Sequence, residues 1–144
     1  WALSQQLLSE SDDIYAKLTT YQPTTREADK GWSAEQMDAL WTSSDAAVHN
    51  RLQSIPVHLQ RLEAVCAAAT PGLSDGFLTS SGTSVGECKL WATLHKLRMI
   101  KGVELLEPYS TLRGFYDRFS AEEKTVGVVE HGGRFPGKLA QYFV

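Results

Sequence analysis

Apolar residues recur along much of the chain at spacings of three, four and seven, the period of a helix that buries one face. In the first segment Leu7, Ile14 and Leu18 fall on one face, with Trp1, Leu8 and Tyr15 on the face beside it. Residues 19–31 break the pattern with Tyr-Gln-Pro and a polar Thr-Thr-Arg run, and read as a connection. Ser33 followed by Gln36 fits a capping box and opens a second helix. That helix is predicted to be long. Val48, Leu52, Ile55, Leu59, Leu62 and Cys66 alternate spacings of four and three, the seam of a helix in a bundle. Pro56 lies inside the seam, where it removes a donor and crowds the carbonyl of Leu52, so the helix is expected to kink or restart there. Pro71-Gly72 and Asp75-Gly76 end it.

Ser84, with Glu87 three residues on, opens a third helix carrying Cys88, Trp91, Leu94 and Leu97 inside. Pro108 precedes a fourth, with Leu112, Phe115, Tyr116 and Phe119 as its apolar residues. A short helix is predicted over 122–129, and residues 131–144 form an irregular tail. Period-two runs of β-branched residues are nearly absent, with 126–129 the one weak candidate. The pattern predicts an all-α bundle over 1–130, with Trp91, Leu94, Leu59, Leu62 and Phe115 meeting in one core.

Composition supports this picture. The 144 residues are 42% hydrophobic and 22% charged, as in one ordinary soluble domain. Such a chain buries about two-thirds of its unfolded surface and needs no metal or disulfide to hold it. The longest apolar run, 64–69, is far short of the roughly 20 residues of a membrane span. No secretory signal is visible. The chain opens at Trp1 rather than Met, so an upstream segment is expected to have been removed.

A formal charge of −3 argues against general nucleic-acid or membrane-surface binding. Residues 1–50 hold eight acids and three bases, and the rest holds nine acids and eleven bases, without a dense run of either sign. Cys66 and Cys88 stand far apart. They read as free buried thiols in a reducing compartment, the cytoplasm or an organelle.

Several motifs bear on chemistry. Gly82-Thr83-Ser84-Val85-Gly86 fits the G-x-S-x-G nucleophile elbow, and Asp117 and His131 follow in hydrolase order. That chemistry needs a strained strand-to-helix turn over a parallel sheet, and residues 75–81 are too short and polar for a buried strand. Ser84 reads instead as a helix cap, with Glu87 the other half of the box. His49, His58, His95 and His131 lack metal-ligand spacing and read as surface or packing residues. No glycine loop is followed by the lysine of a phosphate-binding loop. Lys89, Lys96, Arg98 and Lys101 make the third helix basic, and with no interleaved aromatics they read as a solvated face. Glu10-Ser11-Asp12-Asp13 reads as an exposed polar face opposite Leu7 and Ile14, although adjacent aspartates are poor helix formers.

Taken together, four segments resemble the C-terminal helical domain of a sigma-like cytosolic glutathione transferase. Residues 7–15, Leu-Leu-Ser-Glu-Ser-Asp-Asp-Ile-Tyr, are similar to the first helix of that domain. Residues 55–63 resemble its P-x-x-L-x-x-L-E segment, and 75–78 with 84–87 its G-x-F-L and T/S-x-A-D capping element. Residues 108–115 match its Y-P-x-L-x-x-F helix with the first two residues exchanged. Glu87 stands where Asp is usual, Gly86 where Ala is usual and Thr83 where a hydrophobe is usual, so a looser cap is expected.

The resemblance implies an acceptor-substrate and dimerisation domain. Tyr15, Lys89 and Thr93 would line the acceptor pocket, while Asp13, and less directly Asp12, would reach the glutathione amino group across a homodimer. Lys89 is polar where the family often carries an aromatic, which argues against a purely apolar substrate. Glutathione would be the cosubstrate, no metal is implied, and the thiol-activating hydroxyl would come from a thioredoxin-like domain with no counterpart in these residues. Without such a domain the resemblance implies the alternative, a non-catalytic interaction module held by protein partners in a larger assembly.

Overall fold

The computed structural model describes residues 1–21, 33–43, 53–70, 77–79, 82–122 and 125–126. Five α-helices organise them: α1 Ala2–Tyr21, α2 Ala34–Thr42, α3 Ile55–Ala69, α4 Val85–Lys101 and α5 Ser110–Ala121. A 3-10 turn, Val103–Leu106, joins α4 to α5. No strand occurs among the described residues, and no helix among them is long and apolar enough to cross a membrane. The protein is all-α over this span.

The packing follows the apolar stripes. Leu7, Ile14 and Leu18 of α1, Leu59 and Leu62 of α3, and Leu90, Trp91, Leu94 and Leu97 of α4 close on one core with Leu112 and Phe115 of α5. The five residues expected to share a core do so. Helices α1 and α4 form the most extensive helix pair, and α3 packs against both α5 and α1. Their approach is tight at Gly86, where an added Cβ would stand 2.2 Å from the Ser4 carbonyl oxygen. The Gly86 amide also donates to Ser4 Oγ at 3.1 Å. Glycine at 86 therefore serves helix contact.

Pro56 restarts a helix rather than kinking one. The expected long helix is two: α2 ends at Thr42, and α3 begins at Ile55 with Pro56 in its first turn, where no helical donor is lost. Val48 and Leu52 lie outside the described residues, as does His49. Lys17 anchors the break. It is 1% exposed, and its ammonium donates to the Ser43 carbonyl at the end of α2 and to that of Gln53, at 3.0 Å, just before α3.

Two further helix starts are capped. At α2, Ser33 and Gln36 exchange both bonds of a capping box. Helix α5 has no cap of its own, and Glu63 of α3 supplies one, accepting from the Thr111 and Leu112 amides at 2.9 and 2.8 Å. Of the helix expected over 122–129, the described residues Thr125 and Val126 are helical, and both of their amides bond to the Glu122 carbonyl. The tail at 131–144 lies outside the described residues.

Candidate functional site

Each residue of the acidic cluster Glu10-Ser11-Asp12-Asp13 leaves α1 in a different direction, as a 100° step per residue requires. Glu10 Oε2 meets His58 Nδ1 of α3 at 2.9 Å, with Arg61 at 4.0 Å from the other oxygen. Ser11 is fully buried. Asp12 binds Lys89 Nζ of α4 at 2.9 Å, and Asp13 is half-buried with interactions of its own. The expected exposed polar face holds at Asp12, which is exposed, and is corrected at the buried Ser11 and at Glu10, partly buried against His58. Two of the four residues tie α1 to its neighbours and a third lies in the interior.

The basic face of α4 needs the same correction. Lys89 and Lys96 both lie over the Tyr15 ring of α1, with Nζ 4.4 and 5.4 Å from its centroid. Arg98 lies 4.4 Å over Tyr116 of α5, and Lys101 5.1 Å over Trp41 of α2. The cations of α4 rest on rings supplied by three other helices, contacts of roughly 0.5–1 kcal/mol each where exposed. The rings are distant in sequence, so no local pattern on α4 announces them.

Between Tyr15 and α4 opens a hollow of about 320 Å³. Tyr15, Lys89 and Thr93 line it together with Trp91, Ala92, His95, Lys96 and Met99. Thr93 is 2% exposed, and its hydroxyl has no hydrogen-bond partner among the described residues. Sequence reasoning singled out the first three and missed Trp91, His95 and Lys96. The signal was available in the two-turn spacing of Lys89 and Lys96, which puts both on the face that carries Thr93.

An aromatic stack backs this hollow. Trp91 lies 5.0 Å from the His95 ring, 6.2 Å from Tyr116 and 6.0 Å from Phe119, all near parallel. His95 Nδ1 and the Tyr116 hydroxyl are 2.7 Å apart, and Trp91 Nε1 donates to Ser120 Oγ at 2.8 Å. Burial, with Arg98 nearby, holds the His95 pKa below the ordinary imidazole range, so the ring is neutral at pH 7. Trp91 and Ala92 also border a second hollow of about 420 Å³, with Thr83, Cys88, Phe119, Glu122 and Thr125.

At the start of α4 the capping box is complete. Ser84 Oγ accepts from the Glu87 amide at 3.3 Å, and Glu87 Oε2 accepts from the Ser84 amide at 2.8 Å. The fully buried Glu87 carboxylate also accepts from the Leu78 amide at 2.5 Å and from Thr79 Oγ1 at 3.1 Å. The cap forms both bonds of its box, and the longer glutamate arm reaches both the helix start and the segment at 77–79. Ser84 is bonded as a cap, with a bend before it and no strand, and Asp117 is exposed on α5. His131 lies outside the described residues. Cys88 faces outward rather than into the core, because Glu87 and Leu90 take the inward positions of that turn. No group of three or more His, Cys, Asp or Glu residues that could hold a metal ion occurs among the described residues.

No family model, no curated protein and no solved structure matches this chain.

Proposed function

We propose that this chain is the acceptor-binding and dimerisation half of a glutathione transferase-like protein. The observation that carries the reading is the shared hollow: Tyr15 from α1 and Lys89 and Thr93 from α4 line one cavity. A cavity of about 320 Å³ is at the small end of the range that accommodates organic ligands. In this reading the thiolate comes from glutathione held mainly by a thioredoxin-like domain, and it forms a carbon–sulfur bond at an electrophilic carbon of the acceptor as the leaving group on that carbon departs with its bonding pair. The helices bind and orient that acceptor. Asp13, and less directly Asp12, is proposed to meet the glutathione amino group of the opposite subunit, as the resemblance implies.

The test is calorimetric titration of glutathione into the full-length translation product and its Asp13→Asn variant. Expected is binding by the parent protein, weakened in the variant by roughly 1–3 kcal/mol, the cost of losing a charged hydrogen-bond partner. Absence of binding by the parent protein overturns the transferase reading in favour of a non-catalytic interaction module. Equal affinity in the two proteins removes Asp13 from the site.

A further inference from the structure

The second hollow shares only Trp91 and Ala92 with the first. Two helix faces build it. Cys88, Trp91 and Ala92 follow at helical spacing on α4, while Phe119 and Glu122 stand at the end of α5, with Thr125 three residues further on. The aromatic part of its wall is fixed, since Trp91 stacks on Phe119 at 6.0 Å and donates to Ser120 Oγ at 2.8 Å. Cys88 is exposed and opens its thiol onto this wall. Thr125 also lines the space and is only 7% exposed. Its amide bonds to the Glu122 carbonyl, whereas its hydroxyl has no hydrogen-bond partner among the described residues.

A thiol, an apolar wall and an unpaired hydroxyl thus share about 420 Å³. Partial burial first, and then the Glu87 charge, raise the Cys88 pKa, so at neutral pH the thiol is mostly protonated and a passing electrophile reacts slowly. An electrophile held on Trp91 and Phe119 stays beside the sulfur and gains from proximity. A carbonyl oxygen in that electrophile gives Thr125 its acceptor. We propose that Cys88 is a modification site for α,β-unsaturated carbonyl compounds with an apolar body, which bind in this hollow before they react. The Cys88 thiol releases its proton to water, and Sγ forms a bond to the β-carbon. The π pair of the carbon–carbon double bond shifts toward the carbonyl oxygen, where the Thr125 hydroxyl donates to the growing charge. The α-carbon then takes a proton from water. The net change is addition of S–H across the double bond, without oxidant or cosubstrate.

The experiment measures the rates at which N-cyclohexylmaleimide and N-methylmaleimide modify the 144-residue chain, with peptide mass spectrometry to locate the adduct. N-acetylcysteinamide, a free thiol, supplies the intrinsic ratio of the two reagents. Expected is an adduct at Cys88, with the cyclohexyl reagent favoured about tenfold more than at the free thiol, the effect of burying part of an apolar ring. Thr125→Val and Thr125→Ala, checked for folding by circular dichroism, slow both maleimides about threefold, the effect of one neutral hydrogen bond. Neither changes the rate with methyl methanethiosulfonate, which has no carbonyl, and Thr125→Ser keeps the parent rates. A ratio at Cys88 equal to that of the free thiol, or an adduct confined to Cys66, overturns the proposal. Hydroxyl-free variants that slow the maleimides and the thiosulfonate equally, or slow neither, overturn the carbonyl class. None of these readouts involves glutathione, so they stand apart from the test of the transferase reading.

Discussion

At the scale of single residues, two glycines in helices show how context decides the sign of the same substitution. Alanine normally favours a helix interior over glycine by about 1 kcal/mol. At Gly86 the new methyl would stand 2.2 Å from the Ser4 oxygen and 2.9 Å from its carbonyl carbon, all backbone of α1. Backbone cannot rotate away, so the two helices must separate and disturb the Gly86–Ser4 hydrogen bond. Gly86→Ala is expected to destabilise the protein by roughly 3 kcal/mol, the upper part of the usual overpacking range. At Gly114 the nearest atom to a new methyl is Arg118 Nη1 at 3.3 Å, the far end of an exposed, flexible side chain. Gly114→Ala is expected to be neutral or to stabilise by up to about 1 kcal/mol. Urea unfolding of the two variants side by side checks both signs, and a Gly86→Ala protein as stable as the parent would show that α1 and α4 do not approach so closely.

At the scale of elements, the break between α2 and α3 is held by one charge in an apolar place. Lys17 is almost wholly buried, and burial lowers its pKa from the usual 10.5. Between the folded value and 10.5 the unfolded chain keeps the proton that the native state has released, so stability rises with pH across that window. Below the window the cost of burying the charge is constant. Lys17→Met removes this contribution, so the unfolding free energy of the variant is expected to climb less, or fall more, from pH 7 toward pH 10 than that of the parent. The raised Cys66 and Cys88 thiols pull both curves downward alike. Lys96 shifts in the same direction for the same reason, so part of the slope remains. An unchanged slope in Lys17→Met would show that the ammonium does not titrate on unfolding.

The same elements show what periodicity makes legible and what it does not. Leu7, Ile14 and Leu18, or Leu59, Leu62 and Cys66, are recognisable because burial on one face leaves a spacing of three and four. Ser33-Gln36 and Ser84-Glu87 are recognisable because a cap is a local device. Glu63 is different. It looks like a surface glutamate of α3, yet its carboxylate caps a helix nearly fifty residues away. The candidate site divides in the same way. Tyr15, Lys89 and Thr93 were accessible through a resemblance, whereas the cation–ring contacts of α4 require knowing which helices α1, α2 and α5 bring beside it. A lysine on a helix reads as solvated until the fold supplies the ring.

At the scale of the whole molecule, the two thiols report on different events. Cys88 is exposed beside the second hollow, although partial burial and the nearby Glu87 charge raise its pKa above the ordinary thiol value. Cys66 is fully buried in the core between α3 and its neighbours, and burial first, then Glu63 and Glu87, push its thiol up to about 12. The thiolate is the reactive form, and its fraction grows about tenfold per pH unit below the pKa. With Ellman's reagent near pH 8, one thiol is therefore expected to react promptly in the native protein, at a rate that climbs with pH. The second should follow only as fast as the core opens, because access rather than ionisation limits it. Cys88→Ser should abolish the fast phase and leave the slow one, whose rate then measures opening of the packed helices. Adding urea below the unfolding transition should accelerate that slow phase and not the fast one. Prompt reaction of both thiols in folded protein would mean that α3 is not packed as the core requires, and the stacked wall of the candidate site would lose its support.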